Sequence, residues 1–138
     1  MTIIEEITQI INVYNKKYST LSIDELLNAK DRLVTFNFNL AEEVSDAKTS
    51  YNMGYFVRKI SIAKQKNRLI NQGTSATAAE SAALEGNEEN LKQEITGESI
   101  AFRLDLLLKQ SNKVVDAISQ RISYLKTEKH NAERMNNT

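Results

Sequence analysis

The sequence contains no cysteine and no proline. The absence of cysteine excludes disulfide bonds, thiolate metal sites and a cysteine nucleophile. The absence of proline removes the residue that interrupts a helix most strongly. Glycine is also scarce, with four residues, so few positions can stop a helix. At 138 residues the chain has the size of one ordinary domain, and we predict a single helical domain over residues 1–138.

The chain also lacks an excess of either charge and any long apolar run. Its 18 basic side chains balance 18 acidic ones, so no overall field attracts nucleic acid or an anionic membrane, and binding is expected at local clusters. The longest apolar runs, such as residues 55–57 and 106–108, are far shorter than the roughly 20 residues that cross a bilayer. The amino terminus has early acids and no basic region, unlike a secretory signal. We expect a cytoplasmic protein without membrane contact.

Apolar side chains recur at spacings of three and four residues, which predicts an all-α fold. A first, short helix is predicted over about residues 3–18. Ser22 followed by Glu25 forms a capping-box pattern, so a long second helix is predicted over 23–70. The apolar seam of that helix is Leu26, Ala29, Leu33, Phe36, Leu40, Val44, Ala47 and Tyr51.

Gly73 predicts a left-handed helix cap and a reversal of the chain. Thr74 or Ser75 can cap the next helix, which is predicted over 76–128, with a weak stretch at 85–97 and a polar, frayed tail at 131–138. The coiled-coil-like seam of that helix is Ile100, Leu104, Leu107, Ser111, Val114, Ile118, Ile122 and Leu125. The predicted architecture is a long antiparallel helical hairpin plus the short N-terminal helix.

Charges are segregated around the predicted reversal. The basic strip consists of Arg58, Lys59, Lys64, Lys66 and Arg68, and the charged residues from 80 to 98 are nearly all acidic, with six glutamates against Lys92. In a hairpin the two stretches lie side by side, so the charges could specify the pairing of the helices. Alternatively, the basic strip, with Tyr51, Tyr55 and Phe56 beside it, could contact a nucleic-acid backbone or a partner.

Two further groups are candidates for contacts. Phe36 and Phe38 are two positions apart and cannot share one helix face, so Phe38 is the candidate for a contact outside the hairpin. Core packing is the expected role of the aromatic residues that follow on the same predicted helix, Tyr51, Tyr55 and Phe56. A secondary basic face could cover phosphates or an acidic protein surface, or could simply be solvated. It consists of Lys109, Lys113, Arg121 and Lys126.

The sequence offers no catalytic arrangement. His130, the only histidine, lies near a polar end without a glutamate at the spacing of a helical di-metal site. Adjacent acids such as Glu42 and Glu43 point in different directions on a helix, and no phosphate loop, nucleophile elbow or zinc spacing occurs. We predict that the protein is not an enzyme and that it has neither a cofactor nor a metal site.

Three runs of the sequence resemble a known group of proteins. The runs are YNMGYFVRKI at 51–60, GTSATAAE at 73–80 and AISQRISYLK at 117–126. They resemble small helical proteins of tailed bacteriophages and prophages, over about residues 40–128. The resemblance implies a bacterial host cell and an early-region setting near recombination and single-strand-binding functions, where non-enzymatic anti-defence proteins such as anti-CRISPR proteins are also encoded. It carries over no functional residue.

Three functional hypotheses follow. The first is an interaction protein that binds and modulates a nucleic-acid-processing complex, in the manner of an anti-CRISPR-like inhibitor of host defence. The second is a nucleic-acid-binding accessory of recombination or replication that uses the basic strip. The third is a homo-oligomeric helical bundle whose core is closed by Leu33, Leu40, Leu104, Leu107 and Ile118.

Overall fold

A computed structural model describes residues 1–137 of the chain. Over this range the chain forms four helices and no strand. The helices are α1 (Ile3–Lys17), α2 (Ile23–Asn71), α3 (Ala76–Gly86) and α4 (Glu88–Asn136). The long helices α2 and α4 pack against each other, which confirms the all-α fold and the predicted helix pair. In the described part of the chain, no helix is apolar over a length that could span a membrane.

Local capping explains where α1 and α2 begin. At the start of α2, the Ser22 hydroxyl accepts from the backbone N–H of Glu25 at 3.1 Å, and the Glu25 carboxylate accepts from the backbone N–H of Ser22. This is the predicted capping box. Thr2 and Glu5 form the same reciprocal pair at the start of α1, a capping box that was not among the predicted ones.

The turn between α2 and α3 depends on Gly73, which has a φ of 93°. The backbone N–H of Gly73 donates to the carbonyl of Ile70, and the N–H of Thr74 donates to the carbonyl of Leu69. These two bonds satisfy carbonyls that the helix end leaves free, and they form a Schellman motif. The next helix is capped by Ser75 rather than Thr74, since the Ser75 hydroxyl accepts from the N–H of Ala78.

The helix predicted over residues 76–128 differs from the observed helices in two respects. The predicted weak stretch at 85–97 is helical except at Asn87, which separates α3 from α4. The Asn87 side chain is buried and donates to the carbonyl of Ala83 at 2.8 Å and to the Gln65 side chain at 3.2 Å. At the other end, α4 runs to Asn136, so residues 131–136 of the predicted frayed tail are helical.

By packing, the chain divides into two compact units. Unit 1 contains Met1–Glu42 and the chain from Asp105 onward, and unit 2 is Glu43–Leu104. The prediction of one domain for the whole chain stays a prediction. Unit 1 has a core of large aliphatic side chains, which are Ile7, Ile10, Leu26, Leu33, Leu40, Ile118 and Ile122.

Two polar side chains, Asn37 and Ser111, are buried within the otherwise apolar core of unit 1. Asn37 is buried in place of Phe36, which the predicted seam contained and which is only half-buried. The Ser111 hydroxyl donates to the side-chain carbonyl of Asn37, and the Asn37 amide donates to the side chain of Asn112 at 3.0 Å. These bonds cross from α2 to α4 and satisfy the polar groups that the helix pair buries.

Unit 2 has a core of a different kind. Its buried apolar side chains are small: Val44, Ala79, Ala83 and Ala101. Two of its buried side chains are polar or charged, Asn87 and Glu94. Many large apolar side chains of the unit remain exposed instead. They include Met53, Phe56, Val57, Ile60, Leu84, Leu91, Ile95, Ile100 and Phe102.

Candidate interaction surface

The five residues of the basic strip do not form one exposed surface, because Arg58 forms an ion pair within unit 2. The Arg58 guanidinium donates to both oxygens of the Glu94 carboxylate, with Nη2 3.3 Å from Oε1. The side chains are only 18% and 8% exposed. The hydrogen bond to Glu94 raises the pKa of Arg58 above its ordinary value. Arg58 is therefore a structural cation that joins α2 to α4.

Tyr51 lies close to the same pair. Burial raises the pKa of the Tyr51 phenol, and the negative charges of Glu98 and Glu94 raise it further, while Arg58 opposes them. The phenol is therefore held in its neutral form beside the acidic stretch of α4. Tyr51, a member of the predicted seam of α2, is half-buried and lies close enough to the glutamates of α4 to feel their charge.

The other members of the strip lie in different surroundings. Lys66 forms an ion pair with Glu80 of α3 at 3.9 Å, at a solvated position. The Lys59 ammonium lies 4.7 Å from the centre of the Tyr55 ring, and the Arg58 guanidinium approaches the same ring at 5.6 Å. Both are within the range of a cation–π contact. Tyr55 thus packs with cations of its own helix.

Lys64 and Arg68 lie together on the exposed face of α2. They line an open groove with Val57 and Ile60, and Ser61 and Gln65 complete its lining. Arg58 and Lys66 do not line this groove, since both are paired with glutamates of unit 2. The two ion pairs support the prediction that the segregated charges specify which helices pair.

The other predicted contact residues are spread over unit 1. Phe38 is 73% exposed, as its spacing from Phe36 predicted, whereas Phe36 is half-buried beneath the Arg32 guanidinium. In the secondary basic face, Lys109 pairs with Asp105 at 3.0 Å on its own helix. Arg121 packs over the Tyr124 ring at 5.2 Å, and its Nε is buried without a hydrogen bond. Lys113 and Lys126 are exposed.

The expectation of core packing was wrong for Phe56, which is 60% exposed. It lies beside an apolar stripe on α2 formed by Met53, Val57 and Ile60, each more than half exposed. A second apolar stripe, on α4, consists of Leu91, Ile95 and Phe102, with Glu88 and Glu98 on the same face. The sequence interpretation missed both stripes, although their spacings of three, four and seven residues were a readable signal.

No group of three or more histidine and carboxylate side chains is placed to hold a metal ion within residues 1–137. His130 is exposed. Comparison with protein-family models, curated proteins and solved structures finds no match.

Proposed function

We propose that this protein is a non-enzymatic interaction protein that binds a nucleic-acid-processing protein through the exposed face of α4 in unit 2. The observation that carries the proposal is the acidic-apolar face formed by Glu88, Leu91, Ile95, Glu98 and Phe102. Its apolar members are 40%, 57% and 67% exposed in chain order. A group of exposed apolar side chains on one face of a protein is typical of a protein–protein interaction site.

The carboxylates of this face favour one class of partner. Glu88 and Glu98 are exposed, and Glu88 is partly balanced by Lys92 at 3.8 Å. Carboxylates that border an apolar patch complement a basic surface, and proteins that handle nucleic acid carry such surfaces. Occupation of a basic groove would exclude nucleic acid from it. We therefore propose inhibition of a host defence complex, in the anti-CRISPR-like manner, as the form of modulation, and the phage resemblance supplies the setting of this proposal.

The nucleic-acid-binding alternative has a narrower basis. Of the five basic residues in the strip, Arg58 and Lys66 are paired with glutamates, and Lys59 packs on Tyr55. Lys64 and Arg68 remain on the groove of α2. Two cations supply a small electrostatic contribution to the binding of a phosphate backbone, whose strength grows with each neutralised phosphate.

An affinity experiment separates the two functions. The tagged protein is used to capture partners from host lysate with and without nuclease, and the partner is then purified and its affinity measured directly. The variant Ile95→Arg with Phe102→Ser should weaken this affinity by about tenfold or more, because it removes apolar anchors and opposes a basic partner. The matched control is Gln93→Arg, which adds the same charge on another face of α4.

The outcomes are distinct. Binding that survives nuclease, fails in the Ile95→Arg/Phe102→Ser variant and persists in the control supports the proposal. Recovery that requires intact nucleic acid and is lost in Lys64→Glu/Arg68→Glu supports the accessory function instead. A partner that binds both α4 variants equally would remove the acidic-apolar face as the site.

A further inference from the structure

The apolar stripe on α2 is complementary to a reversed copy of itself. The stripe continues at both ends into charged residues, Asp46 on one side and Lys64 on the other. The positions 46, 53, 57, 60 and 64 are separated by seven, four, three and four residues, so they share one face of a continuous helix. Met53, Val57 and Ile60 are 60%, 57% and 55% exposed, which shows that unit 2 does not cover this face itself.

Four of the five positions on this face form two pairs that are symmetric about position 55, and Ile60 is opposite Ser50. Asp46 lies nine residues before that position and Lys64 nine residues after it, while Met53 precedes it by two residues and Val57 follows it by two. If two copies of α2 lie antiparallel and cross at position 55, each Asp46 meets the Lys64 of the other copy and each Met53 meets a Val57. A two-fold axis makes both contacts twice.

The charges select this arrangement over the parallel one. In a parallel pair, Asp46 would face Asp46 and Lys64 would face Lys64, and like charges in register oppose association. The ion pairs within unit 2 engage Arg58 and Lys66, whereas Asp46 and Lys64 are exposed. Arg68, one turn beyond Lys64 on the same side, adds positive charge to the basic end.

We propose that the chain forms a two-fold symmetric homodimer in which the Asp46–Lys64 segments of two α2 helices pair antiparallel. The segment is about 27 Å long at 1.5 Å per residue. One helix pair of this length is a small interface, so we expect a dissociation constant of about micromolar order. This surface is separate from the α4 face assigned to a foreign partner above, so either can fail without the other.

Sedimentation velocity over about 1 to 200 µM protein brackets that affinity and tests the proposal. The expected result is a shift from the 15.6 kDa monomer to twice that mass as concentration rises. Asp46→Lys and Lys64→Asp should each weaken self-association by about tenfold or more, because each places like charges opposite one another. Asn52→Lys, at an exposed position on another face of α2, is the matched control and should leave it unchanged.

A mixture of the two single variants tests most directly whether Asp46 of one copy pairs with Lys64 of the other. The Asp46→Lys chain carries two cations on the face and the Lys64→Asp chain carries two anions. An antiparallel pair of the two variants therefore regains both ion pairs and should form a heterodimer. The double variant Asp46→Lys/Lys64→Asp should recover the homodimer. Far-UV circular dichroism of every variant verifies that the helices are retained.

Two results would overturn the proposal. A wild-type chain that stays monomeric across the concentration range leaves the stripe to a foreign protein or nucleic acid. A dimer that is indifferent to both charge reversals, or a mixture of single variants that does not associate, excludes the antiparallel α2 pair as the interface.

Discussion

Arg58 of α2 and Glu94 of α4 form a largely buried ion pair within unit 2. The pair joins one residue of the basic strip to one residue of the acidic stretch, so the segregated charges of the sequence are used partly for internal pairing. A cation chosen as a binding candidate from its neighbours along the chain can therefore be unavailable to a ligand. The helix face on which a charged residue lies, rather than its neighbours in the sequence, decides whether its charge is available to a ligand.

The first prediction concerns this ion pair. Arg58→Met should lower the thermal midpoint of unfolding, because the Glu94 carboxylate is left buried without its partner. The swap Arg58→Glu/Glu94→Arg should recover part of the loss. Thermal unfolding followed by circular dichroism provides the measurement. Lys66→Met is the control, since its ion pair with Glu80 is solvated and weak. Equal effects of Arg58→Met and Lys66→Met would contradict the structural role of Arg58.

The second prediction concerns pH. Folding raises the pKa of Tyr51, so the folded chain holds the phenol proton more tightly than the unfolded chain. The resulting stability is fully present below the unfolded pKa of about 10 and is lost as the pH rises through the folded value. The difference in tyrosinate absorbance between wild type and Tyr51→Phe during alkaline titration isolates this group. Its midpoint should lie above the ordinary tyrosine value.

Glu98→Gln should lower the titration midpoint of Tyr51, because Glu98 is the largest electrostatic cause of the shift after burial. Glu89→Gln, an exposed change on the same helix, is the matched control. A midpoint that does not respond to Glu98→Gln would contradict the placement of Tyr51 beside the acidic stretch.

The third prediction concerns the buried hydrogen bond between Ser111 and Asn37 in the core of unit 1. Asn37→Ala should destabilise the folded state by about 1 to 3 kcal/mol, because the buried Ser111 hydroxyl loses its acceptor. Asn37→Leu with Ser111→Ala should be close to neutral, since no buried polar group is then left unpaired and the exposed Asn112 side chain can bond to water instead. Urea unfolding of both variants and of each single change gives the coupling between the two side chains. Strict additivity of the single changes would show that they do not interact.

The fourth prediction compares two glycines. Gly73→Ala should cost about 1 to 2 kcal/mol, because its φ of 93° disfavours any side chain. Gly97→Ala should stabilise by up to about 1 kcal/mol, since Gly97 lies inside α4 and an added methyl group would contact nothing within 4 Å. The free energy of unfolding measured with urea checks both. A stabilising Gly73→Ala would refute the left-handed cap.

The helix boundaries that depend on local chemistry were predictable from the sequence. Ser22 with Glu25 and the Gly73 cap act through neighbours three or four residues away, so their pattern is legible in the chain. Asn87 acts differently, because its side chain bonds to Gln65 on another helix. A break that depends on a tertiary partner leaves only a weak local signal.

The core and the candidate surfaces were predictable only in part. Asn37 occupies a core position that hydrophobicity assigned to Phe36, since its cost of burial is met by Ser111 and Asn112 across the helix pair. The basic strip could be recognised in the sequence, because the charged residues between Val57 and Ala79 are all basic. Its separation into paired cations and the exposed Lys64 and Arg68 required the packing of α3 and α4 against α2.

The alanine-rich core of unit 2 has a consequence for amide hydrogen exchange. Burial of a leucine or isoleucine side chain contributes about 1.5 to 3 kcal/mol, and alanine contributes much less. Backbone amides of α2 near Val57 should therefore open and exchange faster than those near Leu33, where large aliphatic side chains are fully buried. The segment that carries the exposed apolar stripes is thus the one whose backbone can adjust to a bound surface at the lowest cost in free energy.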